Sequence, residues 1–241
     1  MQAELVPGLA GNDPDEGILV RMGTLYIVGT PIGNLEDLTR RAVRVLGQVS
    51  LVAAEDTRVT RKLLSHLSIH VPLVSYPARN WRSRLPTILD ALTSGDVALV
   101  TDAGMPVVSD PGSDLVAAAR AAGNRVEVVP GVSSIMAGSA SLGAALASRN
   151  DTLIVLPGPM GAEEMKARLE WADAAVIIKV GGHFEKIYGV LAEAGLLSQS
   201  RYIERATLES QRTLPLDKVD PEGVPYFSMI LVHKRGQAWN L

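Results

Sequence analysis

Residues 97–112 read VALVTDAGMPVVSDPG. Val97 to Thr101, which opens with an unbroken apolar run, reads as a strand covered on both faces. Glycine and proline then break the chain through Asp102-Ala-Gly-Met-Pro106 and Ser109-Asp110-Pro111-Gly112. Asp114 to Ala122 follows as an Ala-rich helix that stops at Gly123, a residue suited to the left-handed turn after a helix. The same order of strand, loop and helix flanks this stretch. Upstream, Leu25 to Gly29 (LYIVG) runs into Gly29-Thr-Pro-Ile-Gly33-Asn34. Downstream, Val126 to Val129 runs into Pro130-Gly-Val-Ser-Ser134. Apolar runs at 51–54 and 73–76, with helical spacing at 38–46, 60–67 and 84–92, complete the alternation. The expectation is a mostly parallel sheet with helices on both faces.

From Pro130 the texture changes. Residues 133–146 are rich in Ala, Gly and Ser and suit a closely packed helix. Strand-like runs follow at 153–156, 175–180, 202–203 and 227–232, with helices at 162–171 and 184–194. The reading is α/β with two lobes: an N-terminal lobe over 23–130, a C-terminal lobe over 131–241, and a ligand cleft between them. Residues 1–22, broken by Gly, Pro and Asp, read as a flexible extension.

Composition narrows the function. Of the 241 residues, 47% are hydrophobic and only 4% aromatic, with Phe occurring twice, so the core is built from Ala, Val, Leu and Ile. Cysteine is absent, which excludes disulfide scaffolds, thiolate metal sites and cysteine nucleophiles. The net charge of −3 sits in residues 1–22; residues 23–130 carry 11 basic and 10 acidic side chains, residues 131–241 carry 11 and 12. Neither lobe has the broad positive field of a dedicated nucleic-acid binder. No secretory signal opens the chain and no apolar run approaches a membrane span, so a cytoplasmic location without membrane contact is expected. Neither G-x-G-x-x-G nor G-x-x-x-x-G-K-[ST] occurs, and the four histidines lack ligand spacing, so no metal is expected.

In open parallel sheets, ligands collect beyond the carboxyl ends of the strands. The loops after 25–29, 97–101 and 126–129 all fall there. A tight strand-to-helix turn explains any one of them; three on one edge favour a site. Ser133 or Ser134 is expected to cap the following helix. Arg79, Arg82 and Arg84 surround Asn80 and Trp81, a cluster suited to an anionic partner and equally to a solvated helix start. Asp56, two residues before Arg58, fits an ion pair or cap at least as well as a general base.

These loops resemble the tetrapyrrole methylase superfamily, two-lobed methyltransferases that use S-adenosyl-L-methionine (SAM). LYIVGTPIGNLEDLTRRAVRVL, AAEDTRVTRKLL, SYPARN and VALVTDAGMPVVSDPG resemble its ribosomal RNA small-subunit 2′-O-methyltransferase branch. VEVVPGVSS, DTLIVLP, IIKVGGHFEKI, YIERATLESQRTLPL and PYFSMILV resemble its precorrin-2 carbon-20 methyltransferase branch. The resemblance implies that SAM contacts Pro31, Asp102, Ala103, Gly104, Met105, Val108, Ser133 and Ser134, and from the second lobe Val180, Ala206 and Met229. It places the acceptor near Asn34, Asp56, Arg58, Arg79 and Asn80, and implies a homodimer. The basic segment expected of the RNA branch is replaced by LPGPMGAEEM at 156–165, with Glu163 and Glu164 where it would begin. The leading expectation is therefore a corrin or porphyrin precursor resembling precorrin-2, in cobalamin biosynthesis. Ribosomal RNA (cytidine-2′-O)-methylation is the alternative, and SAM binding without turnover a third.

Overall fold

A computed structural model describes residues 22–107, 110–143 and 145–235. The expected extension, apart from Met22, lies outside the described residues. Among the described residues the first lobe holds five strands and four α-helices: β1 (Thr24–Val28), α1 (Arg40–Leu46), β2 (Leu51–Ala54), α2 (Thr57–His66), β3 (Leu73–Ser75), α3 (Leu85–Ser94), β4 (Val97–Val100), α4 (Ser113–Ala121) and β5 (Arg125–Val129). The strands form one parallel sheet in the order β3-β2-β4-β1-β5. Alternate residues of each run face opposite sides. Val28, Val52, Ala98 and Val100 pack with α1 and α2, whereas Leu25, Ala53, Val97 and Leu99 pack with α3 and α4. Both faces are covered, which is why the strands read as continuous apolar runs.

Local chemistry sets the helix ends. The Thr39 side chain accepts from Ala42 N at 3.1 Å and opens α1; the Asp56 side chain accepts from Arg58 N at 2.8 Å and opens α2. Behind α4, Gly123 (φ +83°) lets its own N–H reach Arg120 O at 3.0 Å and lets Asn124 N reach Ala119 O at 2.9 Å. That pair of bonds satisfies the last helical carbonyls. The Asn124 side chain then donates to Gly23 O at 3.1 Å and Leu92 O at 3.3 Å, tying the helix end to the start of the sheet.

The second lobe carries α5 (Ser134–Ser141), β6 (Leu153–Pro157), α6 (Ala162–Trp171), β7 (Ala174–Ile178), α7 (Phe184–Glu193), β8 (Ser200–Glu204), β9 (Arg212–Pro215) and β10 (Ser228–His233). Its sheet runs β6-β7-β10-β8-β9, parallel between β6 and β7 and antiparallel elsewhere. α6 and α7 cover one face through Met165, Leu169, Ile187 and Leu191; Leu142, Leu146 and α5 cover the other. The expected helix over 133–146 is shorter: α5 ends at Ser141 and Gly143 takes φ +63°. Its small residues have a packing reason, since a Cβ on Gly138 would lie 2.7 Å from Met229 Sδ. β9 is absent from the sequence reading because its residues, Arg-Thr-Leu-Pro, form a half-exposed edge with no apolar run.

Candidate functional site

β1 and β4 are neighbours, yet α1 leaves β1 toward one face of the sheet and α4 leaves β4 toward the other. A crevice opens where the connections diverge. Two backbone bonds hold it: Thr30 N donates to Gly104 O at 2.9 Å and Gly104 N to Thr30 O at 3.1 Å. The Thr30 hydroxyl also donates to Thr101 O at 3.0 Å. Beside it, a Cβ on Gly29 would lie 2.6 Å from Gly131 Cα and N and 2.7 Å from Met105 Sδ. The loops after β1, β4 and β5 are therefore packed backbone against backbone, and only glycine fits that contact.

Above them lies a cavity of about 330 Å³ walled by both lobes. Ile32, Glu55 and the Asp102–Met105 turn form one side with Asp110, Ser133, Ser134 and Ile135. Lys179, Arg205, Ala206 and the Tyr226–Met229 segment form the other. Lys179 Nζ meets Asp110 Oδ1 at 3.0 Å across the cleft, both side chains largely buried, so one ion pair bridges the lobes.

The first-lobe wall is acidic. Asp102 N donates to Glu55 Oε2 at 3.3 Å, and Asp102 Oδ1 accepts from Asp56 N at 3.1 Å, so the loops after β2 and β4 brace each other. Burial pushes the Glu55 and Asp102 carboxyls above the ordinary carboxylate range, and the nearby Asp110 charge adds to both shifts. Asp56 behaves oppositely. Arg58, bonded to it at 2.6 Å, holds its carboxyl down to about 2.

Of the expected donor contacts, Asp102, Ala103, Gly104, Met105, Ser133, Ser134, Ala206 and Met229 line the cavity. Pro31 is buried behind Ile32, which takes the lining position instead. Val180 is 0% exposed and belongs to the core packed with α6 and α7, because the chain turns inward after Lys179 (φ +58°). Val108 lies outside the described residues. Ser133 occupies the cap position of α5 without a capping side-chain bond, and Ser134 is the first helical residue, so neither caps as expected. The expected acceptor residues stand outside the cavity wall. Asn34 caps a short turn by accepting from Glu36 N at 3.1 Å; Asp56 caps α2 and pairs with Arg58; Arg79 and Asn80 are exposed before Trp81, over which Arg82 stacks at 4.7 Å. The cavity residues that the sequence reading missed include Glu55, Lys179, Arg205, Tyr226 and Phe227. Glu55 carried one usable signal, its place directly after the last residue of β2.

Residues 24–220 match the family described as tetrapyrrole (corrin/porphyrin) methylases. The chain belongs to that family. The chain is similar in fold to uroporphyrin-III-C-methyltransferase from Thermus thermophilus, at 25% identity and TM-score 0.66, covering 88% of this chain and 94% of that one. A further structure of the Thermus protein is complexed with S-adenosylhomocysteine. Among curated proteins, the chain is 51% identical over 114 residues to ribosomal RNA small subunit methyltransferase I of Mycoplasmopsis pulmonis, covering 47% of this chain and 51% of that protein. It is 53% identical over 116 residues to the enzyme of that name from Xylella fastidiosa, covering 48% and 42%. The chain spans about half the length of the curated relatives it matches.

These relatives overturn the corrin-precursor expectation. Likeness to the porphyrin enzyme rests on shared fold at low identity, whereas about half of all aligned residues coincide with the ribosomal RNA enzymes. The acidic pair that weighed toward a corrin has a different role. Glu164 meets Arg168 at 2.5 Å on the exposed face of α6, Glu163 stands beside it, and neither lines the cavity.

Proposed function

We propose that this methylase transfers a methyl group from SAM to ribosomal RNA of the small subunit, with a ribose 2′-hydroxyl as acceptor. The identity of about 50% to ribosomal RNA small subunit methyltransferases I over about half the chain carries the reading. The cavity suits the donor. Its apolar patches, Ile32, Ile135 and Met229, fit an uncharged ring, and the carboxylates of Glu55, Asp102 and Asp110 oppose a cation. Bound there, SAM supplies an electrophilic methyl group on a sulfonium.

A ribose hydroxyl is a weak acid and gains from a proton acceptor during attack. Asp102 and Glu55 present such acceptors on the cavity wall. Packing of Gly29 on Gly131 fixes the loops before any ligand arrives, so little ordering is left to be done on binding. No group of three or more His, Asp or Glu suited to a metal occurs among the described residues, and among them no helix is long and apolar enough to cross a membrane. The same proposal takes 23–130 and 131–241 as the lobes, a homodimer as the working assembly, and the cytoplasm as its place.

Calorimetry with SAM, then transfer of labelled methyl to unmethylated small ribosomal subunits, tests the reading. Labelled RNA is expected, with the label on ribose after nuclease digestion. Donor binding with no label on RNA would overturn it. Light scattering reports the assembly.

A further inference from the structure

Tyr226 and Phe227 are 59% and 58% exposed, in a chain whose other phenylalanine, Phe184, is 3% exposed in the core. Their rings meet edge to face, with centroids 5.3 Å apart, and both line the cavity. The turn that carries them is anchored. The Ser228 hydroxyl donates to Pro225 O at 2.7 Å, and the Tyr226 backbone packs against Gly181. Ser228 pairs with Glu204 at the last rung between β10 and β8, so Phe227 and Arg205 stand at the two corners of the open end.

Arg205 has φ +51°, a left-handed conformation that strains a residue with a side chain. Leu208 N donates to Arg205 O at 3.1 Å, holding that turn. Its exposed side chain lines the cavity with no hydrogen bond or ion pair among the described residues. Two bare rings and an unpaired guanidinium thus share one rim.

The mouth is electrostatically lopsided. Glu55 and Asp102 stand on the first-lobe side, where Asp110 is already paired with Lys179, and Arg205 stands on the other. A phosphate is repelled by the first wall and attracted to the second. Depth separates donor from acceptor: Ala206 and Met229 are 8% and 7% exposed inside the cavity, where a small donor is enclosed, while the rings stand at its edge.

We propose that Tyr226 and Phe227 stack on the base of the target nucleotide in single-stranded RNA, while Arg205 pairs with a neighbouring phosphate. This rests on the ribosomal RNA reading. Stacking on aromatic side chains is tolerant of base identity and strong enough to fix a base taken out of its stack.

The test compares the wild type with Tyr226→Ala/Phe227→Ala, Phe227→Tyr and Arg205→Gln. It measures KM for small ribosomal subunits, affinity for a short single-stranded oligoribonucleotide, SAM affinity and thermal unfolding. The double variant is expected to raise KM for RNA and weaken oligonucleotide binding at least about fivefold, with SAM affinity and unfolding unchanged. Phe227→Tyr keeps the wild-type values. Arg205→Gln weakens RNA binding and reduces the salt slope by about 0.7. Loss of SAM affinity with RNA binding intact would assign the rings to the donor and overturn the proposal. So would unchanged RNA binding in every variant. A wild type that labels no RNA brings down the functional reading itself, an outcome distinct from active wild type with indifferent variants.

Discussion

The two lobes solve the same packing problem in opposite ways. In the first, every strand is parallel, so every carboxyl end and every strand-to-helix loop lies on one edge. The site residues there are mostly backbone and small side chains, held by Gly29 on Gly131 and by the Thr30–Gly104 bonds. In the second, β10 runs against β7 and β8, and its edge at the cleft mixes strand starts with strand ends. That edge contributes large side chains: Lys179, Arg205, Tyr226 and Phe227. The difference fits the proposed division of work. A rigid edge of tight turns suits a ligand common to a whole family, and a rim of long side chains suits discrimination among acceptors.

Three changes probe that division. The largest effect is expected from Ile230→Ala. Ile230 is 0% exposed in the middle of the second sheet, and its truncation is expected to cost about 2–5 kcal/mol of stability. At this chain length that lowers the melting temperature by about 2–4 °C per kcal/mol, while the SAM affinity of the folded protein stays as it was. A calorimetric scan alongside SAM titration checks both halves of the statement. Equal loss of donor affinity would show that the second core sets the geometry of the first edge.

Gly29→Ala reverses the pattern. The new methyl group would stand 2.6 Å from Gly131 backbone atoms, so the loops must part. A stability cost of about 1–3 kcal/mol is expected, with SAM affinity down by about tenfold or more because the contact shapes the cavity wall. Titration of SAM into the variant reads this directly; unchanged affinity would mean that the close approach serves packing alone.

The smallest effect is a pH dependence confined to the first lobe. Because burial raises the pKa of Glu55 and Asp102, the folded chain keeps protons that the unfolded chain has released. Stability contributed by these two groups therefore falls as pH climbs out of the ordinary carboxylate range near about 4. A cationic donor prefers the ionised pair, so SAM affinity is expected to rise over the same interval, and affinity for uncharged-sulfur S-adenosylhomocysteine to rise less. Calorimetry from about pH 4 to about pH 7 compares the two slopes; parallel slopes would remove the carboxylates from contact with the sulfonium. Asp56 acts in the other direction. Its carboxyl, held down to about 2 by Arg58, keeps its ion pair at neutral pH and loses it only as pH falls toward that value.

Much of the first lobe was legible because glycine and proline punctuate it. The strand expected over 51–54 coincides with β2, the one expected over 97–101 runs one residue past β4, and the helix expected over 162–171 coincides with α6. The three loops came together as expected because parallel pairing gives loops at like strand ends no other edge to occupy. Glu55 was passed over for Asp56, since nothing in a string of polar residues says which carboxylate faces inward; the start of α2 claims Asp56 as a cap and leaves Glu55 to the cavity.

Local sequence by itself determined what depends on near neighbours: helix starts at Thr39 and Asp56, the stop at Gly123, and strands apolar on both faces. Tertiary structure alone decided what depends on distant pairing: the antiparallel course of β10, the edge strand β9, and the placing of Arg205 and Phe227 on the rim of one cavity. Backbone preferences act over a few residues and leave their mark in the local string. Which side chain is left exposed at a cleft is fixed only when strands far apart in the chain have chosen their partners.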